Sequence, residues 1–238
     1  MLRLQVRETI AGPRRAFSDR VDAGVQLAAW IDPEPDPDAL VLGLPRGGVP
    51  VGAGLAMALG CELRPVLVRK LPIPADPEMG FGAITLDGTV ILNHDVVRAF
   101  GIGEATIRRV AAETRAEVER RSRVYPGGQA PLDFDGRNVW LVDDGLATGL
   151  SAVAAARMIR SHGAEQLTVA VPCGPLDSAR RLLDEADEVW CMIAQEGRGF
   201  AVASFYRDFH EMDDAEVVAV LESRGADRDR GSRPEGPP

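Results

Sequence analysis

The residues that decide the fold are Val139-Trp140-Leu141-Val142-Asp143-Asp144-Gly145-Leu146-Ala147-Thr148-Gly149-Leu150-Ser151. The apolar run predicts a buried strand, and the small residues after the two aspartates predict a short loop that leads into a helix. Backbone N–H groups at the start of a helix bind anions, and glycines let the backbone approach a phosphate closely. Carboxylates repel phosphate but accept hydrogen bonds from sugar hydroxyls. The stretch therefore predicts a ribose 5-phosphate site at the end of a strand.

The chain on either side of this stretch alternates short apolar runs with helical patterns, except in the first dozen residues, which carry little pattern. We predict strands at residues 39–44, 63–68, 138–142, 167–171 and 188–193. We predict helices at 49–59, 148–162 and 175–185, and an earlier helix that Ser18 caps. Strands separated by such helices indicate a parallel sheet covered on both faces. The predicted fold class is α/β, with a parallel sheet of about five strands flanked by helices.

One long segment, residues 71–136, interrupts this alternation. It contains a predicted hairpin, Gly82 to Leu86 and Thr89 to Leu92, with Asp87-Gly88 as its tight turn. It also contains an amphipathic helix from about Glu104 to Val124, whose charged residues we interpret as a solvated face. We expect this insertion to form a hood-like subdomain over one end of the sheet. Residues 1–222 are predicted to form a single domain, and residues 223–238 a disordered tail.

A second strand, glycine-rich turn and helix stand at residues 42–51, which read Leu-Gly-Leu-Pro-Arg-Gly-Gly-Val-Pro-Val. Ligands of an open parallel sheet bind outside the carboxyl ends of its strands, so this turn and the loop after Val142 are expected at one edge. Arg46 and the amides of Gly47 and Gly48 then suit a pyrophosphate group. The alternative is an ordinary connection between strand and helix. Likewise, Asp143 and Asp144 alone could serve as a helix cap with a neighbouring surface acid.

Two further cations, Arg69 and Lys70, follow the second predicted strand. Positive charge there would neutralise a pyrophosphate group as it leaves. The alternative is that they are simply basic residues at a strand end. The hydroxyls of Thr148 and Ser151 can add hydrogen-bond donors to the phosphate loop.

Composition narrows the classes of partner. The net charge is −9, from 27 basic and 36 acidic residues, and no basic cluster stands out. Nucleic acid is therefore not the expected partner, since neutralising its phosphates needs a concentrated positive face. The apolar runs are far shorter than the ~20 residues that span a bilayer, and the N-terminus lacks the pattern of a signal peptide. We expect a cytoplasmic protein without a membrane partner.

The stretch from Val139 to Ser151 resembles the signature of type I phosphoribosyltransferases: four apolar residues, two acidic residues, a short Thr/Gly-rich loop and a helix. The resemblance implies that Asp143 and Asp144 hold the ribose 2- and 3-hydroxyls. It also implies that the loop and the following helix hold the 5-phosphate through Gly145, Leu146, Ala147, Thr148, Gly149 and Ser151. The sequence departs from the general signature at Gly145, Ala147 and Leu150.

The resemblance extends over about residues 15–222, to a bacterial group of predicted phosphoribosyltransferases of unassigned substrate. It is carried by residues 17–24, the Pro45–Pro50 loop, Arg69-Lys70, Asn93 and residues 205–209. It implies a pyrophosphate loop with a cis peptide at Pro45-Arg46 or Arg46-Gly47, and a mobile catalytic loop at residues 72–82. The implied cofactor is Mg²⁺, held near Asp143 and Asp144 through pyrophosphate and water. A homodimer is common in the family.

The activity implied by the resemblance is transfer of 5-phosphoribosyl from 5-phosphoribosyl pyrophosphate to a nitrogenous base, with release of pyrophosphate. Asp143, Asp144, Arg69 and Lys70 would be its catalytic residues. The alternative is a non-catalytic regulatory protein that binds 5-phosphoribosyl pyrophosphate or a nucleotide. The aromatic residues Phe205, Tyr206 and Phe209 either pack in the core or stack against the base.

Overall fold

The computed structural model of the chain describes residues 3–12, 14–197 and 199–231. Its strands are β1 (Arg3–Ile10), β2 (Leu40–Gly43), β3 (Glu62–Pro65), β4 (Val68–Ile73), β5 (Asp76–Thr85), β6 (Val90–Leu92), β7 (Asn138–Val142), β8 (Gln166–Pro175) and β9 (Glu188–Gln195). Its α-helices are α1 (Arg20–Ile31), α2 (Gly48–Leu59), α3 (His94–Ala99), α4 (Glu104–Val124), α5 (Leu150–Ser161), α6 (Leu176–Leu182) and α7 (Asp214–Gly231), and a 3₁₀-helix covers Val202–Phe205.

The main sheet confirms the predicted α/β class. Six parallel strands lie in the order β1-β9-β8-β7-β2-β3, with helices on both faces. The sixth strand, β1, was not predicted, because its polar residues mask the pattern at the exposed edge of the sheet. One apolar cluster lies between the sheet and α5 and α6, and a second lies between the sheet and α1 and α2.

The insertion forms a separate antiparallel sheet in the order β4-β5-β6, which packs against α4 and α5. The hairpin and the helix Glu104–Val124 are confirmed, but the two-residue turn is wrong by one residue. Ile84 pairs with Val90 and the Thr85 amide donates to the Thr89 carbonyl at 3.0 Å, which leaves Leu86, Asp87 and Gly88 as the loop. The strand predicted at 63–68 is wrong as one element: β3 ends at Pro65, and Val68 begins β4 in the other sheet. Arg69 and Lys70 consequently lie within the antiparallel sheet. Residues 72–82 lie mostly within β4 and β5, and their closure over a ligand stays a prediction.

Several helix boundaries differ from the predicted ones. Asp19, rather than Ser18, caps α1, and its carboxylate accepts a hydrogen bond from the Asp22 amide. Helix α5 begins at Leu150, because Gly149 adopts the left-handed conformation with φ of 75°. The disordered tail predicted from residue 223 is wrong for its first part, since α7 continues to Gly231. Residues 232–238 lie outside the described residues, and the single-domain division stays a prediction.

The topology brings the two predicted anion loops together. Strands β2 and β7 are neighbours, with Leu40 opposite Val139 and Gly43 opposite Val142. The loops that follow them therefore leave the sheet side by side, and the Leu44 amide donates to the Val142 carbonyl at 2.8 Å. In the part of the chain that the structure describes, no helix is long and apolar enough to cross a membrane.

Candidate functional site

A cavity of about 460 Å³ opens where these two loops meet. The structure thus brings four predicted site residues to one place: Arg46 and Gly47 from the first loop, and Asp143 and Asp144 from the second. The rest of the lining comes from Arg20, Pro45 and residues 209–212. The carboxyl edge of the parallel sheet is where a ligand is expected in this type of fold.

The acidic pair is held from within the protein. The Asp144 amide donates to Asp143 Oδ1 at 2.8 Å, and Arg20 Nε donates to Asp144 Oδ2 at 2.8 Å. Burial raises the pKa of Asp143, and the neighbouring negative charge of Asp144 raises it further. Burial also raises the pKa of Asp144, although hydrogen bonding and charge from Arg20 act against that rise. Each carboxylate has an oxygen engaged by the chain, and the pair is suited to accept hydrogen bonds from ligand hydroxyls.

Arg20 is a site residue that our reading of the motifs did not identify. It begins α1, and its guanidinium also donates from Nη1 to the His210 carbonyl at 3.0 Å and lies 3.9 Å from the centre of the Phe209 ring. Only 9% of the residue is exposed. One signal was present in the sequence: a cation in the first turn of a helix is opposed by the helix dipole, so a specific partner is expected.

The phosphate loop divides into an anchored half and an exposed half. Gly145 and Leu146 are buried, and the Leu146 amide donates to the Cys173 carbonyl at 2.9 Å. That amide already has a partner, so Leu146 anchors the loop, and its contact with phosphate stays a prediction. Ala147 and Thr148 are exposed at the tip. Ser178 Oγ holds the tip by donating to the Ala147 carbonyl at 3.1 Å.

The exposed half runs into the N-terminus of α5. Gly149 turns the chain into the helix, and Ser151 lies in the first turn, where it is partly buried. The backbone N–H groups of a first helical turn lack partners within their own helix and attract anions. The Leu150 amide contacts Thr148 Oγ1 at 3.5 Å, which is weak enough to be exchanged for a ligand oxygen. This end of the loop therefore suits a phosphate group.

The first loop is packed tightly against the acidic pair. The peptide bond between Pro45 and Arg46 is cis, one of the two positions that the resemblance implied. A Cβ atom at Gly47 would lie 2.6 Å from Arg20 Nε and closer still to the Asp144 carboxylate. The Gly48 amide donates to the Leu44 carbonyl at 2.8 Å. That amide is engaged within the loop, and the predicted contact of Gly48 with pyrophosphate stays a prediction.

The positive charge of Arg46, Arg69 and Lys70 is spread over two cavities and is partly neutralised by glutamates. Arg46 forms an ion pair with Glu211, and Arg69 Nη1 donates to Glu117 Oε1 at 3.0 Å. Arg69 and Lys70 line a neighbouring cavity of about 640 Å³, which shares Glu211 with the first cavity. They are therefore near the acidic pair's cavity but do not line it. The sequence reading missed both glutamates, because each lies far along the chain from its arginine.

The aromatic cluster has two roles. Phe205 and Tyr206 are buried, and Tyr206 Oη donates to the Asp144 carbonyl at 2.6 Å. Phe209 packs 5.0 Å from the Tyr206 ring and lines the cavity. Packing is therefore the role of the first two residues, whereas Phe209 is placed to contact a ligand.

Known proteins resemble this chain in sequence and in fold. The phosphoribosyl transferase domain matches residues 85–205. Two curated proteins from Mycobacterium tuberculosis strains CDC 1551 and H37Rv, named as candidate phosphoribosyl transferases, are each 43% identical over 208 residues. These matches cover 87% of this chain and 47% of each relative, so the chain spans about half of their length. The crystal structure of TT1426 from Thermus thermophilus is 38% identical, with a TM-score of 0.66 and coverage of 87% of this chain and 98% of that chain.

Proposed function

Because the chain belongs to the phosphoribosyl transferase domain family, we propose that it transfers 5-phosphoribosyl from 5-phosphoribosyl pyrophosphate to a nitrogenous base and releases pyrophosphate. The observation that carries the proposal is the junction of the two loops: the Asp143-Asp144 pair and the Arg46-Gly47 turn line one cavity, and the chain continues from that pair through the loop to the N-terminus of α5. A diol, a phosphate and a pyrophosphate can be bound there together. The expected setting is the cytoplasm, with a homodimer and without nucleic acid or membrane partners.

Substrate binding is assigned to the second loop. Asp143 and Asp144 accept hydrogen bonds from the ribose 2- and 3-hydroxyls, and each has an oxygen positioned by the protein beforehand. Ala147, Thr148, Gly149 and Ser151 bind the 5-phosphate at the exposed tip and the first turn of α5. Gly145 and Leu146, which are buried, anchor that tip to the rest of the protein.

Chemistry takes place at the anomeric carbon. Its bond to the pyrophosphate oxygen breaks with the electron pair leaving on pyrophosphate, the nitrogen of the base forms the new bond, and a proton is released from that nitrogen. Positive charge develops on the sugar, and negative charge develops on the leaving group. Arg46, Arg69 and Lys70 are the cations that stabilise pyrophosphate, and fixed geometry supplies much of the remaining acceleration.

Magnesium is part of the proposal. In the described residues, no cluster of three or more His, Cys, Asp or Glu side chains could hold a metal ion. Mg²⁺ usually keeps several waters and binds through one or two carboxylates and substrate phosphates. Asp143 and Asp144 would hold the ion through water, beside the pyrophosphate loop. When bound, it would neutralise charge on the pyrophosphate group.

A second candidate function is non-catalytic binding of 5-phosphoribosyl pyrophosphate or a nucleotide for regulation. The observation that favours it is the pairing of Arg46 with Glu211 and of Arg69 with Glu117, which reduces the positive charge open to a leaving group. In the catalytic proposal, pyrophosphate displaces these carboxylates.

Pyrophosphate release separates the two functions. The chain is incubated with 5-phosphoribosyl pyrophosphate, Mg²⁺ and a panel of purine and pyrimidine bases, and the Asp143→Asn, Asp144→Asn double variant is the control. The catalytic proposal predicts release that depends on one class of base and is absent in the double variant. Measurable binding of 5-phosphoribosyl pyrophosphate without release for any base would instead favour the regulatory function.

A further inference from the structure

Arg20 is a buried cation at the junction of the two loops. It reaches from α1 to the loop after β7, where its Nε atom donates to Asp144 Oδ2 at 2.8 Å. The side chain of Arg20 is 10% exposed and that of Asp144 is 15% exposed, so solvent screens their interaction little. Charge-assisted hydrogen bonds of this kind are among the stronger ones in proteins.

The guanidinium is fixed by more than its ion pair. Its Nη1 donates to the His210 carbonyl at 3.0 Å, and the Phe209 ring covers its face at 3.9 Å. A planar guanidinium with partners in two directions and a ring on its face has little freedom to rotate. It is therefore a rigid support for whatever it holds.

Asp144 is held twice from the same part of the chain. Tyr206 Oη donates to the Asp144 carbonyl at 2.6 Å, and Phe209 packs both against Tyr206 and over Arg20. Residues 206–210 thus hold the backbone of Asp144 directly and its carboxylate through Arg20. Asp143 differs, because its carboxylate accepts a hydrogen bond from the neighbouring amide within its own loop.

We propose that Arg20 is a positioning residue, which orients the Asp144 carboxylate so that it recognises one ribose hydroxyl. Arg20 occupies Asp144 Oδ2 and so fixes the direction of the whole carboxylate group. Without Arg20 the carboxylate can rotate, and a hydrogen bond to the sugar depends on distance and angle. The inference rests on the proposed function, because it assumes that Asp144 binds a ribose hydroxyl.

The test compares three ligands: ribose 5-phosphate, 2-deoxyribose 5-phosphate and 3-deoxyribose 5-phosphate. Their affinities are measured by calorimetry for the wild-type chain, Arg20→Gln, Asp144→Asn and the control Arg207→Gln. Arg207 is an exposed arginine in the segment 206–210. Its substitution therefore removes one positive charge, as Arg20→Gln does, but leaves the contacts of Asp144 in place. Wild type should bind ribose 5-phosphate about tenfold more tightly than each deoxy sugar.

Arg20→Gln should lower one of these two preferences to within about twofold of unity, and it should be the same preference that Asp144→Asn lowers. Arg207→Gln should change neither preference. A residue that only stabilised the fold would weaken binding of all three ligands equally and leave both preferences unchanged. Unchanged preferences in Arg20→Gln, or loss of the other preference, would overturn the role of Arg20.

The outcomes also separate this inference from the proposed function. If wild type shows no preference for ribose 5-phosphate, the proposed ribose site fails and the role of Arg20 fails with it. If wild type shows the preference and Arg20→Gln keeps it, only the role of Arg20 fails. Should Arg20→Gln not fold, as judged by circular dichroism, Arg20→Lys and Phe209→Leu replace it. Reduction of the Asp144-dependent preference in either supports the role, and unchanged preferences in both overturn it.

Discussion

Substitution of Gly47 by alanine tests whether the two loops form one site. The backbone of Gly47 has φ of −70° and ψ of −28°, which alanine adopts without strain. The effect is therefore steric. The added Cβ would lie 2.6 Å from Arg20 Nε, about 0.9 Å short of an ordinary contact of about 3.5 Å, and it would be closer still to the Asp144 carboxylate.

The Arg20 and Asp144 side chains must move, because the added Cβ is attached to the backbone of Gly47. Moving Arg20 Nε away by about 0.9 Å stretches its 2.8 Å bond to Asp144 beyond hydrogen-bonding range, and the Asp144 carboxylate, which is closer to the added Cβ, has to move further. We expect overpacking to lower the free energy of unfolding by about 1–3 kcal/mol. A displaced Asp144 would also lose its hydrogen bond to the sugar, a further loss of about 1.5–3 kcal/mol in binding, or roughly 10- to 150-fold in Kd.

Calorimetric titration with ribose 5-phosphate measures the loss of affinity, and urea unfolding measures the loss of stability. Gly103→Ala is the matched control, since a Cβ at Gly103 has no neighbour within 4 Å and its φ is −78°. We expect the control to bind like wild type. Binding by Gly47→Ala within about twofold of the control would refute the claim that the ion pair at this junction supports ligand binding.

Three other substitutions give distinct results. Asp143→Asn should raise the melting temperature at about pH 7.5 and have little effect at about pH 3. A carboxyl whose folded pKa is raised stabilises the fold when it is protonated, and that stability is lost as pH rises through the folded pKa. Thermal melts at both pH values measure the difference. Glu211→Gln should tighten pyrophosphate binding about two- to fivefold by releasing Arg46 from its ion pair. An unchanged Kd for pyrophosphate would contradict the pairing of Arg46 with Glu211. Gly149→Ala should lower the free energy of unfolding by about 1–2 kcal/mol, because φ of 75° strains a residue with a Cβ; urea unfolding measures it.

Local sequence patterns were sufficient for much of the fold. The helix Glu104–Val124 and the strand Asn138–Val142 follow from periodicity and apolar runs, and these are properties of neighbouring residues. Strand β1 could not be predicted in this way, because its pairing with β9 joins residues at opposite ends of the chain. The split between β3 and β4 was also missed, because the mostly apolar run from Leu63 to Val68 does not reveal that the chain changes sheets.

The same distinction applies to the site. Asp143, Asp144 and Arg46 were predicted because each lies in a short motif whose chemistry can be recognised locally. The role of Arg20 was missed because its partner is 124 residues away, and the pairing of Arg46 with Glu211 was missed because they are 165 residues apart. Leu146 and Gly48 were assigned to ligand binding because a motif shows which amides lie in a loop but not which of them already have partners.

We propose that the Asp143-Asp144 pair and its loop bind a phosphorylated ribose. Calorimetric titration of the chain with 5-phosphoribosyl pyrophosphate and Mg²⁺, beside the Asp143→Asn, Asp144→Asn double variant, measures that binding. We expect saturable binding by the wild-type chain and an affinity at least about 100-fold weaker in the double variant, since the hydrogen bonds that both carboxylates accept from the ribose hydroxyls are lost. Equal affinity in the two proteins would contradict it.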